Sequence, residues 1–145
     1  MGDRSRTASF DYGRYVECAM RVLVCGGRDY GKNPDGTNND AEMDFLFNFL
    51  TDLLIEHPDM VVIQGEARGA DRLAKNWANF INVPVMSFPA DWDKYNNRAG
   101  PIRNLQMIQE GKPDLVVAFR GGAGTRDMIN QAMQHNIEVK TPCLK

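Results

Sequence analysis

The sequence predicts a single three-layer α/β/α domain built on a parallel sheet of about five strands. Three observations carry that expectation. From Met20 onward, strand-like and helix-like segments alternate along the 145-residue chain, the order expected of a parallel sheet with crossover helices. The strand-like segments are continuous apolar runs without strict alternation, as expected when both faces of a sheet are covered. The helix-like segments each carry one apolar stripe at spacings of three and four residues.

The first strand is the run RVLVC, residues 21–25. Residues 40–56 place Met43, Leu46, Phe47, Leu50, Leu53 and Leu54 on one helical face, with Asn38, Asn39 or Asp40 available as the N-cap. VVIQ at 61–64 is the second strand. Ala70, Leu73, Ala74, Trp77, Ala78 and Ile81 form the cleanest helical stripe in the chain, which assigns Trp77 to the core. Residues 83–88 (VPVMSF) are the third strand, with Pro84 at its start, where a missing N–H is tolerated. A helix follows over about 101–110, with Pro101 near its first position and Gly111 as its stop. DLVVAF at 114–119 is the fourth strand. Residues 125–135 are the last helix, burying Met128, Ile129, Ala132 and Met133, and residues 137–140 are the fifth strand. The loop 30–38 (YGKNPDGTN), rich in glycine, proline and asparagine, is a surface loop and a candidate lid.

Residues 1–19 lack both periodicity and a secretory h-region. They are expected to be a disordered leader or tag, leaving 20–145 as the domain. No apolar run reaches the ~20 residues of a membrane span. Net charge is −2, whereas a duplex-DNA binder is usually basic, because phosphate neutralisation supplies most of its affinity. Cys18, Cys25 and Cys143 are scattered, with neither metal-ligand spacing nor a disulfide framework. The expectation is a cytoplasmic protein with no metal, no cofactor and no membrane partner, and the charge disfavours a nucleic-acid partner.

Ligands of open parallel sheets bind beyond the carboxyl ends of the strands. Four segments therefore converge: Gly26-Gly27-Arg28 after the first strand, Gly65 to Asp71 after the second, residues 89–104 after the third, and Arg120 to Asp127 after the fourth. The last, Gly121-Gly122-Ala123-Gly124-Thr125, opens a helix. Glycines there let main-chain N–H groups approach an anion, and the helix dipole favours negative charge. The alternative is a tight strand-to-helix turn and nothing more. No lysine precedes Thr125, so this is not a Walker A loop, and Gly26-Gly27 lacks the third glycine of a dinucleotide fingerprint. Arg28, Arg68, Arg98, Arg103, Arg120 and Arg126 all fall in these segments, where a guanidinium fork suits phosphate. The alternative for each is pairing with a neighbouring acid. Trp92 and Tyr95 lie in a polar stretch where either could stack on a base or cap the core edge. Glu66 and Asp127 are candidate catalytic carboxylates for chemistry at a ribose carbon, while Asp71 and Asp127 also suit a first helical turn for structural reasons.

The segments VCGGRDY (24–30), GEARGADRLAKNWA (65–78), FPADWDKYNNRAGPIRN (88–104) and GGAGTRDM (121–128) together resemble the YspA/YpsA-related branch of the SLOG superfamily. That Rossmann-like group includes the LOG phosphoribohydrolases and DprA. The resemblance implies binding of a nucleotide or an NAD- or ADP-ribose-like ligand, as proposed for sensing in bacterial and phage conflict. It implies a ligand site at Gly26, Gly27, Arg28, Gly65, Gly69, Ala70, Asp71, Arg103, Asn104, Gly121, Gly122, Gly124 and Thr125, to which the loop argument adds Arg98. The LOG enzymes carry a glutamate where this chain has Met128, and a proline where it has Arg120. Three functions are therefore carried forward: a nucleotide sensor, a nucleotide N-glycosidase, and a DprA-like single-strand binder, which the acidic charge disfavours. Relatives often pair through helices, so a homodimer is a further expectation.

Overall fold

The computed structural model describes residues 19–144. The expectation for the leader falls outside them except at Ala19, which is buried and belongs to the domain. Five strands form one sheet in the order β3-β2-β1-β4-β5: β1 (Arg21–Cys25), β2 (Val61–Gln64), β3 (Val85–Ser87), β4 (Leu115–Ala118) and β5 (Glu138–Lys140). Every pairing is parallel. The chain moves outward from β1 to β3, then crosses back to place β4 on the other side of β1. That reversal puts a topological switch point between β1 and β4, where loops diverge and a crevice opens.

Alternate strand residues serve opposite faces. Val22, Val24, Val62, Leu115 and Val117 pack under α1 (Asp40–Glu56) and α2 (Ala70–Phe80). Leu23, Cys25, Ile63, Val116 and Ala118 pack under α4 (Ala99–Gly111) and α5 (Ala123–Gln134). A short helix, α3 (Trp92–Tyr95), and a 3₁₀ turn (Asn96–Arg98) precede α4. The fold is the Rossmann-like three-layer sandwich that the alternation of segments predicts.

The differences from the sequence reading are local. Asn39 is the N-cap of α1, its side chain accepting from the Glu42 N–H at 3.1 Å. The third strand is only three residues long, because Pro84 cannot donate and β3 is a half-exposed edge strand. Gly111 does not stop α4. It lies inside the helix against the Ile63 side chain, and Lys112 takes the left-handed cap at φ 51°. Helix α5 begins at Ala123, two residues early, so the glycine turn runs into its first turn. Met133 and Ile81, read on the apolar stripes, are 63% and 36% exposed; Met133 lies in the last turn of α5 and Ile81 is the C-cap of α2. The candidate lid is pinned rather than loose. Tyr30 is buried against Phe119 with its hydroxyl donating to the Glu42 carbonyl, and Lys32 bridges to Asn38.

Candidate functional site

The carboxyl ends of β1, β2 and β4 carry most of the expected residues to one edge. There a cleft of about 480 Å³ is lined by Gly26, Gly27, Arg28, Asp71, Trp92, Arg103, Asn104, Gly122, Gly124, Thr125 and Asp127, among others. Its walls are set by close approaches at glycines. The Gly27 N–H donates to the Arg120 carbonyl at 2.8 Å, and a Cβ on Gly27 would lie 3.0 Å from Gly121 Cα. A Cβ on Gly26 would lie 2.6 Å from Ala70 Cβ. Gly69, at φ 87°, lays its loop directly on the main chain of Gly27 and Arg28. These glycines weld three loops together at the switch point.

Gly122 and Gly124 differ from them. A Cβ at either position would meet no atom within 4 Å, and neither has positive φ. Packing therefore leaves the choice of glycine at these two positions unexplained. Both border the cleft, at a helix start that no side chain caps. The first N–H groups of a helix have no intrahelical partner and carry partial positive charge. Here the residues that carry them, Gly122 to Thr125, border the cleft.

Helix α4 supplies a polar clasp from Arg103 and Asn104. The Arg103 guanidinium donates to the Gly65 carbonyl and, at 3.1 Å, to Asn104 Oδ1. Asn104 Nδ2 donates to Asp127 Oδ2 at 2.9 Å and to the Gly124 carbonyl at 3.3 Å. Two adjacent residues thus join the β2 loop to the start of α5. Beneath them, Asp71 Oδ2 accepts from the N–H groups of Gly65 and Ala67. Burial pushes this carboxyl up to about 6, against the lowering effect of Arg103 and the two N–H donors. Burial also raises the Cys25 thiol far above its ordinary value, so it stays protonated.

A profile of the YspA, cpYpsA-related SLOG family matches residues 20–95, just over half of the chain. The chain belongs to that SLOG family. It is also similar to the Gene 61 protein of Mycobacterium phage D29, with 34% identity over 127 residues, covering 82% of this chain and 93% of that protein. No solved structure matches. The span matched to the SLOG family runs from β1 through α3 and so includes the welded loops after β1 and β2.

Several expected site residues stand elsewhere in this SLOG domain. Gly65 and Glu66 line a neighbouring cleft of about 710 Å³, and Gly69 lines a third of about 800 Å³. Gly121 serves packing, since a Cβ there would strike Thr125 and the Gly27 nitrogen. Arg98 is exposed in the 3₁₀ turn and does not line the 480 Å³ cleft. Arg120 is committed to Glu42 through a two-pronged ion pair and lies over the Tyr30 ring. Both candidate catalytic carboxylates have partners. Glu66 accepts from Lys75 at 2.7 Å and Gln64 at 3.0 Å, and these hydrogen bonds pull its carboxyl down to about 2. Asp127 accepts from Asn104 and, at 2.8 Å, from Gln131. Met128, where the LOG enzymes carry glutamate, is wholly buried against the sheet.

Sequence reasoning missed Glu42 and Gln64, which are both buried. Glu42 lies four residues before Leu46 on the apolar stripe of α1, and an acid in that place signals a buried partner. Trp92, left open between stacking and capping, is 44% exposed, borders two of the clefts and lies under the Arg28 guanidinium at 5.1 Å. Among the described residues no helix is long and apolar enough to cross a membrane, and no group of His, Cys, Asp or Glu is arranged to hold a metal.

Proposed function

We propose that this chain binds a nucleotide or nucleotide-derived, phosphate-bearing ligand of the ADP-ribose or NAD kind, and acts as a binding or sensing domain. Membership of the SLOG family suggests nucleotide-related binding or processing. The observation that carries the reading is the pair Gly122 and Gly124. These are two glycines with no packing reason to be glycine, at an uncapped helix start, bordering a cleft that Arg28 and Arg103 also line. A phosphate there would gain main-chain N–H donors, the helix dipole and a guanidinium fork together. Trp92 offers a face for the base.

The test is calorimetric titration of AMP, NAD and ADP-ribose into the wild-type chain and into Gly124→Val. A Cβ at position 124 meets nothing within 4 Å, so melting temperature without ligand should hold while binding is lost. Unchanged affinity in the variant would show that the site lies elsewhere.

One observation favours a second reading, hydrolysis of a nucleotide N-glycosidic bond. Asp71 borders the cleft with a carboxyl near 6, a range suited to proton transfer. Release of free base from AMP, lost in Asp71→Asn, would support it.

A further inference from the structure

The two larger clefts share a wall of three arginines. Arg28, Arg68 and Arg72 line both the 710 Å³ and the 800 Å³ clefts, and Arg28 also lines the 480 Å³ cleft. Their grouping follows from the weld described above. The Gly27 carbonyl accepts from the Ala70 N–H at 3.3 Å, and Gly69 rests on the Arg28 main chain, so the two loops bring Arg28 and Arg68 to the same two clefts. Arg72 lies in the first turn of α2, just beyond the loop that carries Arg68.

Little on the protein neutralises this wall. Asp29 lies 3.6 Å from Arg68, and both side chains are largely exposed, a geometry worth little to stability. Glu66 is held by Lys75 and Glu42 by Arg120. Among the described residues, Arg28 and Arg72 have no carboxylate within ion-pair distance. These three exposed guanidinium groups share one loosely held carboxylate, which leaves net positive charge on this wall to attract an anion.

We propose that Arg28, Arg68 and Arg72 form a second anion subsite, which narrows the nucleotide class above to a ligand with a second anionic group across a nucleoside from the first, a group that ADP-ribose and NAD themselves lack. The inference rests on the reading above, because the first group is the phosphate at α5. Arg28 borders both subsites and Trp92 lies between them under Arg28. Trp92 borders the 710 Å³ cleft that Arg68 and Arg72 line and the 480 Å³ cleft that Gly122–Thr125 line, so a base stacked on it would have one phosphate toward each.

The experiment compares AMP with adenosine 3′,5′-bisphosphate and with the 5′-phosphorylated diadenylate, at fixed low salt, by calorimetry. At least one doubly anionic probe should bind about tenfold or more tightly than AMP, the scale of one added charge-assisted contact. Its affinity should fall more steeply with salt. The Arg68→Gln/Arg72→Gln double variant should lose that gain while its AMP affinity stays that of wild type. If neither doubly anionic probe outbinds AMP, or if the gain survives in the double variant, the second subsite is overturned while the AMP site stands. If AMP and both larger probes fail to bind the wild-type chain while ADP-ribose or NAD binds, the second subsite falls alone; if none of the five binds, it falls together with the nucleotide reading.

Discussion

Arg120 grips Glu42 with two hydrogen bonds, Nε to Oε2 at 2.6 Å and Nη2 to Oε1 at 2.8 Å, across 78 residues of sequence. Glu42 Oε1 also accepts from the Gly31 N–H at 2.9 Å. One carboxylate therefore fastens the loop after β4 and the loop after β1 to helix α1. These contacts hold the Glu42 carboxyl below its ordinary value, the Arg120 bond foremost.

Removing either partner should cost fold stability rather than ligand chemistry. Glu42→Gln and Arg120→Ala should each lower unfolding free energy by about 2 kcal/mol, since the pair is two-pronged and Glu42 is mostly buried. Urea denaturation of the two single variants and the double variant measures the coupling. Additive losses would show that the pair does not act as a unit.

Asp71 should make ligand binding sensitive to pH. Its carboxyl is raised from 3.8 to about 6 by burial, so it is neutral at pH 5 and charged at pH 8. A charged Asp71 repels an anion in the same cleft, so affinity should fall as pH rises through about 6. ADP-ribose is the probe of choice, because its diphosphate has no proton to lose in that interval, whereas a phosphate monoester titrates near pH ~6 itself. Titration calorimetry across the interval should give a sloping profile for wild type and a flat one for Asp71→Asn.

The sign is opposite for Glu66. Its folded carboxyl lies at about 2 against an ordinary 4.5, held there first by Lys75. A lowered acid stabilises the fold above its unfolded value and loses that contribution as pH falls through its folded value. Lys75→Ala should therefore destabilise the protein by about 1 kcal/mol at pH 7, a figure kept small by the partial exposure of both side chains. The gap to wild type should close between pH 4.5 and about 2. Thermal melts along a pH series give the readout.

Two glycines with nearly the same φ should respond differently to alanine. Gly36 has φ 88° and open space around it, so Gly36→Ala should cost only backbone strain, about 1 kcal/mol. Gly69 has φ 87°, and a Cβ there would collide with the Gly27 carbonyl and the Arg28 main chain. Gly69→Ala should cost about 4 kcal/mol or prevent folding. Denaturation midpoints of the two variants check the contrast.

The element order, the parallel sheet and the convergence of the β1, β2 and β4 loops were legible in the sequence, because periodicity and strand-end position are local signals. What each polar side chain does there was not. Arg120 sits in a loop rich in glycine like a ligand residue, yet its partner is a helix residue 78 positions away. Arg98 follows two asparagines in a polar stretch, and nothing local reveals that a 3₁₀ turn carries it outward. Lys112 takes a left-handed cap that Gly111 advertises, because Gly111 is needed against Ile63. The glycines illustrate the same limit. Sequence marks all of them as turn formers, and only their surroundings separate the welded ones from Gly122 and Gly124.

That separation divides the labour of the molecule. Stability resides in Gly26, Gly27, Gly69 and Gly121, where any side chain collides with a neighbour. Positions 122 and 124 carry no such burden. Side chains introduced at these two places could reshape what the cleft admits while the scaffold around it stays intact, so a lineage could change its ligand here without first having to repair its fold.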